Sequence, residues 1–265
     1  MAHTVLYFVK SYLILVFAML VLQRYVVYYP SRTWVVSPES VGAQVVAYKT
    51  VDNIKLTSWY VPPKGGKPVF VLFHGNAGNI SNRAFKLAYF AKRGYGFLLA
   101  EYRGYGRNAG SPSELGFYND GRAAMTWLMK DQKIPENKII VYGESIGTGT
   151  ACEMAIEYKN IRALVLEAPF TSIQHEADAV YPWLRLFTYL TIDKYDNLSK
   201  AGYFDMPVIV LQGSKDEVIP PRQGKELFEA VASPVKKYVP LRGGGHENLA
   251  DFGLLQHIQA FVEAR

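Results

Sequence analysis

The stretch Gly143-Glu144-Ser145-Ile146-Gly147, set directly after the β-branched run Ile139-Ile140-Val141, constrains this chain more than any other. A Gly-x-Ser-x-Gly pattern at a strand-to-helix turn holds its serine in a strained backbone conformation, and the flanking glycines remove the Cβ atoms that would clash as the turn closes. The turn lifts the hydroxyl clear of a sheet, where a nucleophile has to stand. Five residues alone decide little: at average Gly and Ser usage the pattern arises by chance in roughly one chain of this length in twelve. A reactive serine also needs a base, an acid that orients the base, and donors for an oxyanion, so the rest of the sequence must supply them.

A fold able to carry such a turn is legible from about residue 42 onward. Two early strands, 43–48 and 55–61, are expected to meet through Asp52-Asn53, because Asn tolerates positive φ. Short continuous apolar runs at 69–73, 97–102, 138–142, 163–166 and 208–211 read as strands covered on both faces, hence a mostly parallel sheet. Between them Phe85, Ala88 and Tyr89 repeat at helical spacing behind a Ser81 cap, with Gly94 placed to end that helix. Leu254, Leu255, Ile258, Phe261 and Val262 make the clearest apolar stripe. The alternation predicts an α/β fold with helices on both faces of the sheet, and 265 residues suffice for one such domain.

One connection is too long for that alternation. Residues 174–201 carry Tyr181-Pro182-Trp183-Leu184 and Leu186-Phe187-Thr188-Tyr189-Leu190. They read as a short lid whose aromatics suit an apolar acyl pocket. The plain alternative is that the same aromatics pack on the core.

Five histidines are available as the base. His3 lies near the N-terminus, His74 ends an early strand, His175 opens the lid and His257 flanks the last apolar stripe. His246 follows Gly243-Gly244-Gly245, in a flexible loop after a strand near Tyr238 and in the chain order Ser, acid, His expected after this kind of turn. The acid belongs at the carboxyl end of the strand 208–211, where Asp216 is the first choice, Glu217 the fallback and Glu167 a third candidate. The Ile146 N–H supplies one oxyanion donor from the turn itself. The Asn76 N–H, in the glycine-rich segment Phe73-His74-Gly75-Asn76-Ala77-Gly78-Asn79, is the expected second, against the plain reading of an Asx turn.

From residue 4 to residue 22 every side chain is apolar or uncharged except Lys10, close to what a bilayer core requires. The expectation is a membrane anchor, with Tyr25, Tyr28 and Tyr29 at an interface. A signal peptide lacks its cleavage site in Gln23-Arg24-Tyr25, and a core helix would keep its apolar residues to one face. Lys10 before the centre and Arg24 and Arg32 after it favour a cytoplasmic catalytic domain only weakly, so the side of the membrane stays open. The expected organisation is therefore 1–30 as anchor and juxtamembrane segment and 31–265 as the α/β domain. The formal charge of +6 is scattered along the chain, which argues against a nucleic-acid partner and for mild attraction to anionic lipid. The single cysteine, Cys152, excludes a disulfide within the chain and reads as a small buried hydrophobe.

These residues together resemble the α/β-hydrolase superfamily, and within it the membrane-anchored serine hydrolases with a single N-terminal span. The resemblance covers nearly the whole chain, through His74-Gly75-Asn76-Ala77-Gly78-Asn79, Tyr102-Arg103-Gly104-Tyr105-Gly106, Gly143-Glu144-Ser145-Ile146-Gly147-Thr148-Gly149, Ala168-Pro169-Phe170-Thr171-Ser172, the run 216–220 and Gly245-His246. Glu101 stands where relatives usually carry Asp, and Asn53 where a hairpin Gly is usual. The resemblance implies an esterase-like or lipase-like enzyme without cofactor or metal, related to lysophospholipases, monoacylglycerol lipases and protein depalmitoylases. The expected chemistry is attack of Ser145 on an ester or thioester carbonyl of a small-molecule or lipid substrate, with His246 as base and Asp216 behind it. A peptidase of the same fold and a tethered, non-catalytic scaffold are the alternatives.

Overall fold

The apolar runs of the sequence become the inner strands of one eight-stranded sheet. In the computed structural model, which describes residues 2–180, 183 and 185–264, β1 (Gln44–Lys49) and β2 (Lys55–Val61) pair antiparallel, with Gln44 opposite Tyr60. Asn53 lies in the connection between them at φ 67°, the conformation for which Asn was singled out. β2 then pairs antiparallel with β4 (Gly96–Ala100), and from β4 onward β3 (Val69–Phe73), β5 (Ile139–Glu144), β6 (Ala163–Glu167), β7 (Val208–Gly213) and β8 (Lys236–Leu241) are all parallel. The spatial order β1-β2-β4-β3-β5-β6-β7-β8 reverses direction between β3 and β5. At such a switch point the loops leaving the two strands part, and a crevice opens at their carboxyl ends.

Alternation along each strand sends residues to two separate cores. Val69, Val71, Phe73, Val141, Leu164 and Val210 face α3 (Glu114–Lys130), α4 (Gly147–Glu157) and α8 (Pro221–Ala230), which contribute Phe117, Leu128, Met154 and Leu227. Phe70, Leu72, Ile140, Tyr142, Val165 and Ile209 face α2 (Ala84–Ala91) and α9 (Leu254–Glu263), which contribute Leu87, Phe90, Leu254 and Ile258. Cys152 is fully buried in the first of these, as its apolar reading requires. One expectation is corrected: α2 is not capped by Ser81. The Ser81 hydroxyl is already engaged, donating to Asn79 Oδ1 at 2.6 Å and accepting from the Val35 N–H at 2.9 Å. Asn79 caps a 3-10 turn, Ile80–Arg83, that precedes the helix.

The N-terminal α1 (Ala2–Val27) is one continuous helix, about 39 Å long at 1.5 Å per residue. Among its described residues only Val16 and Gln23 are buried, and Phe8, Ile14 and Phe17 stand about 70% exposed, so it is no core helix. Its end docks on the long connection between β6 and β7, which forms α5 (Ile173–Val180), α6 (Arg185–Leu190) and α7 (Asn197–Ala201). Gln23 Oε1 accepts from the Ile192 N–H at 2.9 Å, and the Tyr28 hydroxyl donates to Asp193 Oδ2 at 2.9 Å. Tyr181, Pro182 and Leu184 of the expected lid lie outside the described residues. Trp183 and Tyr189 are 62% and 67% exposed, so they do not pack on the core as the plain alternative had it.

Candidate active site

The strand β5 delivers its chain to Ser145, which takes φ 51° before α4 begins. Holding a non-glycine residue there costs on the order of 1–3 kcal/mol, so the surroundings must impose it. They do: the Ser145 N–H donates to the Glu167 carbonyl at the end of β6, 2.9 Å away. A Cβ on Gly147 would stand 2.0 Å from the Phe73 carbonyl oxygen, and one on Gly143 2.6 Å from Thr148 Cα. Both glycines of the pattern are thus demanded by backbone approaching backbone.

His246 and Asp216 arrive from loops further along the sheet, past β6, after β8 and β7. The loops are tied to each other by the Lys215 N–H donating to the Gly244 carbonyl at 2.9 Å. His246 Nδ1 lies 2.8 Å from Asp216 Oδ2, and Nε2 lies 3.1 Å from Ser145 Oγ. The Asp216 side chain is fully buried and takes four hydrogen bonds. Oδ1 accepts from the Val218 and Ile219 N–H groups at 3.0 and 2.8 Å, and Oδ2 from His246 and from Gln212 Nε2 at 2.9 Å. With both carboxylate oxygens accepting, the ring nitrogen that faces them is the donor, which places the proton of His246 on Nδ1 and leaves the Nε2 lone pair towards the serine. Burial alone would lower the His246 pKa. The hydrogen bond to Asp216 and its charge, helped by the more distant Glu144 and Glu167, outweigh burial and raise it above the ordinary histidine value.

The two alternative acids are elsewhere. Glu217 is exposed. Glu167 belongs to a buried cluster beneath the turn, in which Lys86 Nζ donates to Glu167 at 2.5 Å and to Glu144 at 2.6 Å, Arg83 meets Glu144 at 2.6 Å, and the Tyr142 hydroxyl donates to Glu167. Burial works against the Glu144 carboxylate, but Arg83 and Lys86 hold it well below the usual range. Burial and the neighbouring Glu144 push Glu167 up, against the pull of Lys86. Neither Arg83 nor Lys86 stands out in the sequence, since a cation on a helix reads as solvated surface until the fold turns it inward.

The loop after β3 holds Asn76 at the switch point. The N–H groups of Asn76 and Ile146 donate to nothing among the described residues. The Asn76 carboxamide forms no Asx turn. Its Nδ2 donates to the Val27 carbonyl at 2.5 Å, and its Oδ1 accepts from the Tyr29 N–H at 3.1 Å and the Tyr105 hydroxyl at 2.9 Å. His74, one residue past β3, pairs through Nε2 with Glu101 Oε1 at 2.8 Å, while its Nδ1 donates to the Gly75 carbonyl at 2.7 Å. His175 Nδ1 meets Thr171 Oγ1 at 2.9 Å. Among the described residues no group of three or more His, Cys, Asp or Glu side chains is arranged to hold a metal ion.

Residues 65–199 match the family described as Hydrolase_4, serine aminopeptidase S33. An uncharacterized protein of Mycobacterium tuberculosis is 36% identical over 230 residues, 85% of this chain and 81% of that protein. An uncharacterized membrane protein of Saccharomyces cerevisiae is 29% identical over 231 residues, 83% of this chain and 81% of its own. Among solved structures, an esterase of Pyrococcus furiosus superposes with a TM-score of 0.76 over 90% of this chain and 98% of that one; at 18% identity the likeness is one of fold.

Proposed function

The chain belongs to the α/β-hydrolase family of the serine aminopeptidase S33 description and is a hydrolase, and from that premise we propose that it cleaves carboxylic ester or thioester bonds of lipophilic acyl substrates with Ser145 as nucleophile. The observation that carries this reading is the hydrogen-bonded line Asp216, His246, Ser145, at 2.8 and 3.1 Å, ending on a serine held at φ 51°. Ser145 Oγ attacks the carbonyl carbon as its proton passes to His246 Nε2, and Asp216 steadies the imidazolium. The oxygen of the tetrahedral intermediate, now negative, takes hydrogen bonds from the Asn76 and Ile146 N–H groups. Collapse breaks the bond to the alcohol or thiol, which leaves with the proton from Nε2. Water then attacks the acyl-enzyme, gives one proton to His246, and releases the acid as Ser145 recovers its proton.

The N-terminal helix supports the lipophilic part of the proposal. Its His3–Tyr25 portion is long and apolar enough to cross a bilayer, and the yeast relative is described as a membrane protein. We read α1 as a single-span anchor, with the hydrolase domain beginning at about residue 31. The family description favours a second reading, an aminopeptidase using the same residues. Parallel assays of short-chain and long-chain acyl esters, acyl thioesters and aminoacyl amides decide between them. The proposal expects turnover to rise with acyl length and to vanish in Ser145→Ala; preferential release of amino acids from the amides would overturn it.

A further inference from the structure

The oxyanion loop is short of structure of its own. β3 ends at Phe73 and the next helical turn begins at Ile80, leaving six residues between, of which Gly75 and Gly78 impose little, Gly78 lying at φ 83°. Glu101 holds His74 at 2.8 Å and Arg83 Nη1 holds the Ala77 carbonyl at 2.6 Å, while Asn76 and Gly78 are held by the chain that leaves the N-terminal helix. Residues 27–31 run alongside it as a strap: the Ser31 N–H donates to the Gly78 carbonyl at 3.0 Å, and Pro30 and Gly78 form a parallel bridge. Val27 and Tyr29 grip the Asn76 carboxamide from both ends, through the donor and acceptor contacts at 2.5 and 3.1 Å. The same strap also reaches the far side of the nucleophile turn. The Tyr28 hydroxyl meets that of Tyr195 at 3.0 Å, and the Tyr195 ring lies so close on α4 that a Cβ on Gly149 would be 2.2 Å from it.

We propose that the exit of the N-terminal helix is a positioning element of the active site: the strap, holding the Asn76 carboxamide, aims the Asn76 N–H at the oxyanion. The inference rests on the reading of Asn76 N–H as an oxyanion donor. The carboxamide touches no substrate and acts only through the backbone to which it is attached. An asparagine is suited to this, because one planar group donates to a carbonyl and accepts from an N–H and a hydroxyl at once. Tyr105, fully buried, backs it from the opposite side at 2.9 Å. A donor displaced by about 1 Å loses on the order of 10²-fold in rate, so a residue held through its carboxamide depends on this grip.

The test uses the full-length protein in detergent micelles. Asn76→Ala keeps the backbone N–H and removes all three side-chain bonds; Tyr105→Phe removes one. Single-turnover acylation by a p-nitrophenyl ester, KM, the affinity for a trifluoromethyl ketone and the titre of sites reactive with a fluorophosphonate are read for each. In Asn76→Ala, acylation should slow by about 10- to 100-fold with KM within about twofold and the titre unchanged. The affinity for the ketone, whose adduct bears the oxyanion, should fall by the same factor. Tyr105→Phe should shift both by a few-fold together, and it decides the matter should Asn76→Ala not fold. A loss confined to the titre or to KM, or wild-type acylation and ketone affinity, overturns the proposal. Absence of any ketone or fluorophosphonate adduct on the wild-type protein would instead remove the serine reading beneath it.

Discussion

Two histidines of this molecule sit 2.8 Å from a carboxylate, and they differ in what the other ring nitrogen meets. His246 points Nδ1 at Asp216 and Nε2 at the Ser145 hydroxyl, a group that can donate, so a neutral ring with a free lone pair satisfies both contacts. His74 points Nε2 at Glu101 and Nδ1 at the Gly75 carbonyl, so both of its nitrogens face acceptors. With Nδ1 donating to a carbonyl and Nε2 held by Glu101, neither nitrogen of His74 is left for a reacting hydroxyl. Exposure separates them as well: the His246 side chain is 15% exposed and reaches the crevice, whereas His74 and Glu101 are 0% and 1% exposed. A carboxylate beside a histidine does not make a base; the partner of the far nitrogen does.

The contrast can be broken in several ways. His246→Ala should lower kcat by about 10⁶, as should Ser145→Ala, because residues acting as one unit fail together; the measurement is steady-state ester hydrolysis. The thermal midpoint of His246→Ala should change little. Asp216→Asn should cost about 10⁴ in kcat, since the ring loses the acceptor that sets its tautomer. His74→Ala should do the opposite of His246→Ala. It strands the Glu101 carboxyl in the core and should cost roughly 3–5 kcal/mol in denaturant unfolding, with acylation at Ser145 surviving in whatever protein remains folded.

The smallest effect is in the pH profile. Because Asp216 raises the His246 pKa, kcat/KM should climb with pH through one ionisation lying above the ordinary histidine value of about 6.5. The sign for stability is the reverse. The protonated pair stabilises the fold most fully below the unfolded value, and that share is lost as pH rises through the raised folded one. Asp216→Asn should move the kinetic ionisation downward.

Much of this was legible in the sequence, and the exceptions share a cause. Five inner strands begin within one residue of expectation, since runs covered on both faces announce themselves by composition. Ser145, Asp216 and His246 could be chosen by chain order and by their places in loops that follow strands of a parallel sheet, and the structure brings the three together. The cap on the turn before α2 fell to Asn79 rather than Ser81 because residues just past the strap, far off in sequence, engage both side chains: Val35 donates to Ser81, and Asn79 Nδ2 donates to the Thr33 carbonyl at 2.8 Å. The same holds for Arg83, Lys86 and the grip on Asn76. Local spacing reports which face of an element is apolar; it carries no sign of which polar groups a distant strap or helix will meet.

The most direct test of the central claim is peptide mapping after a fluorophosphonate reacts with the folded, full-length protein. The account predicts one adduct, on Ser145, formed rapidly in wild type and in folded His74→Ala but greatly slowed in His246→Ala. An adduct on another residue, or equal labelling rates in wild type and His246→Ala, would contradict it.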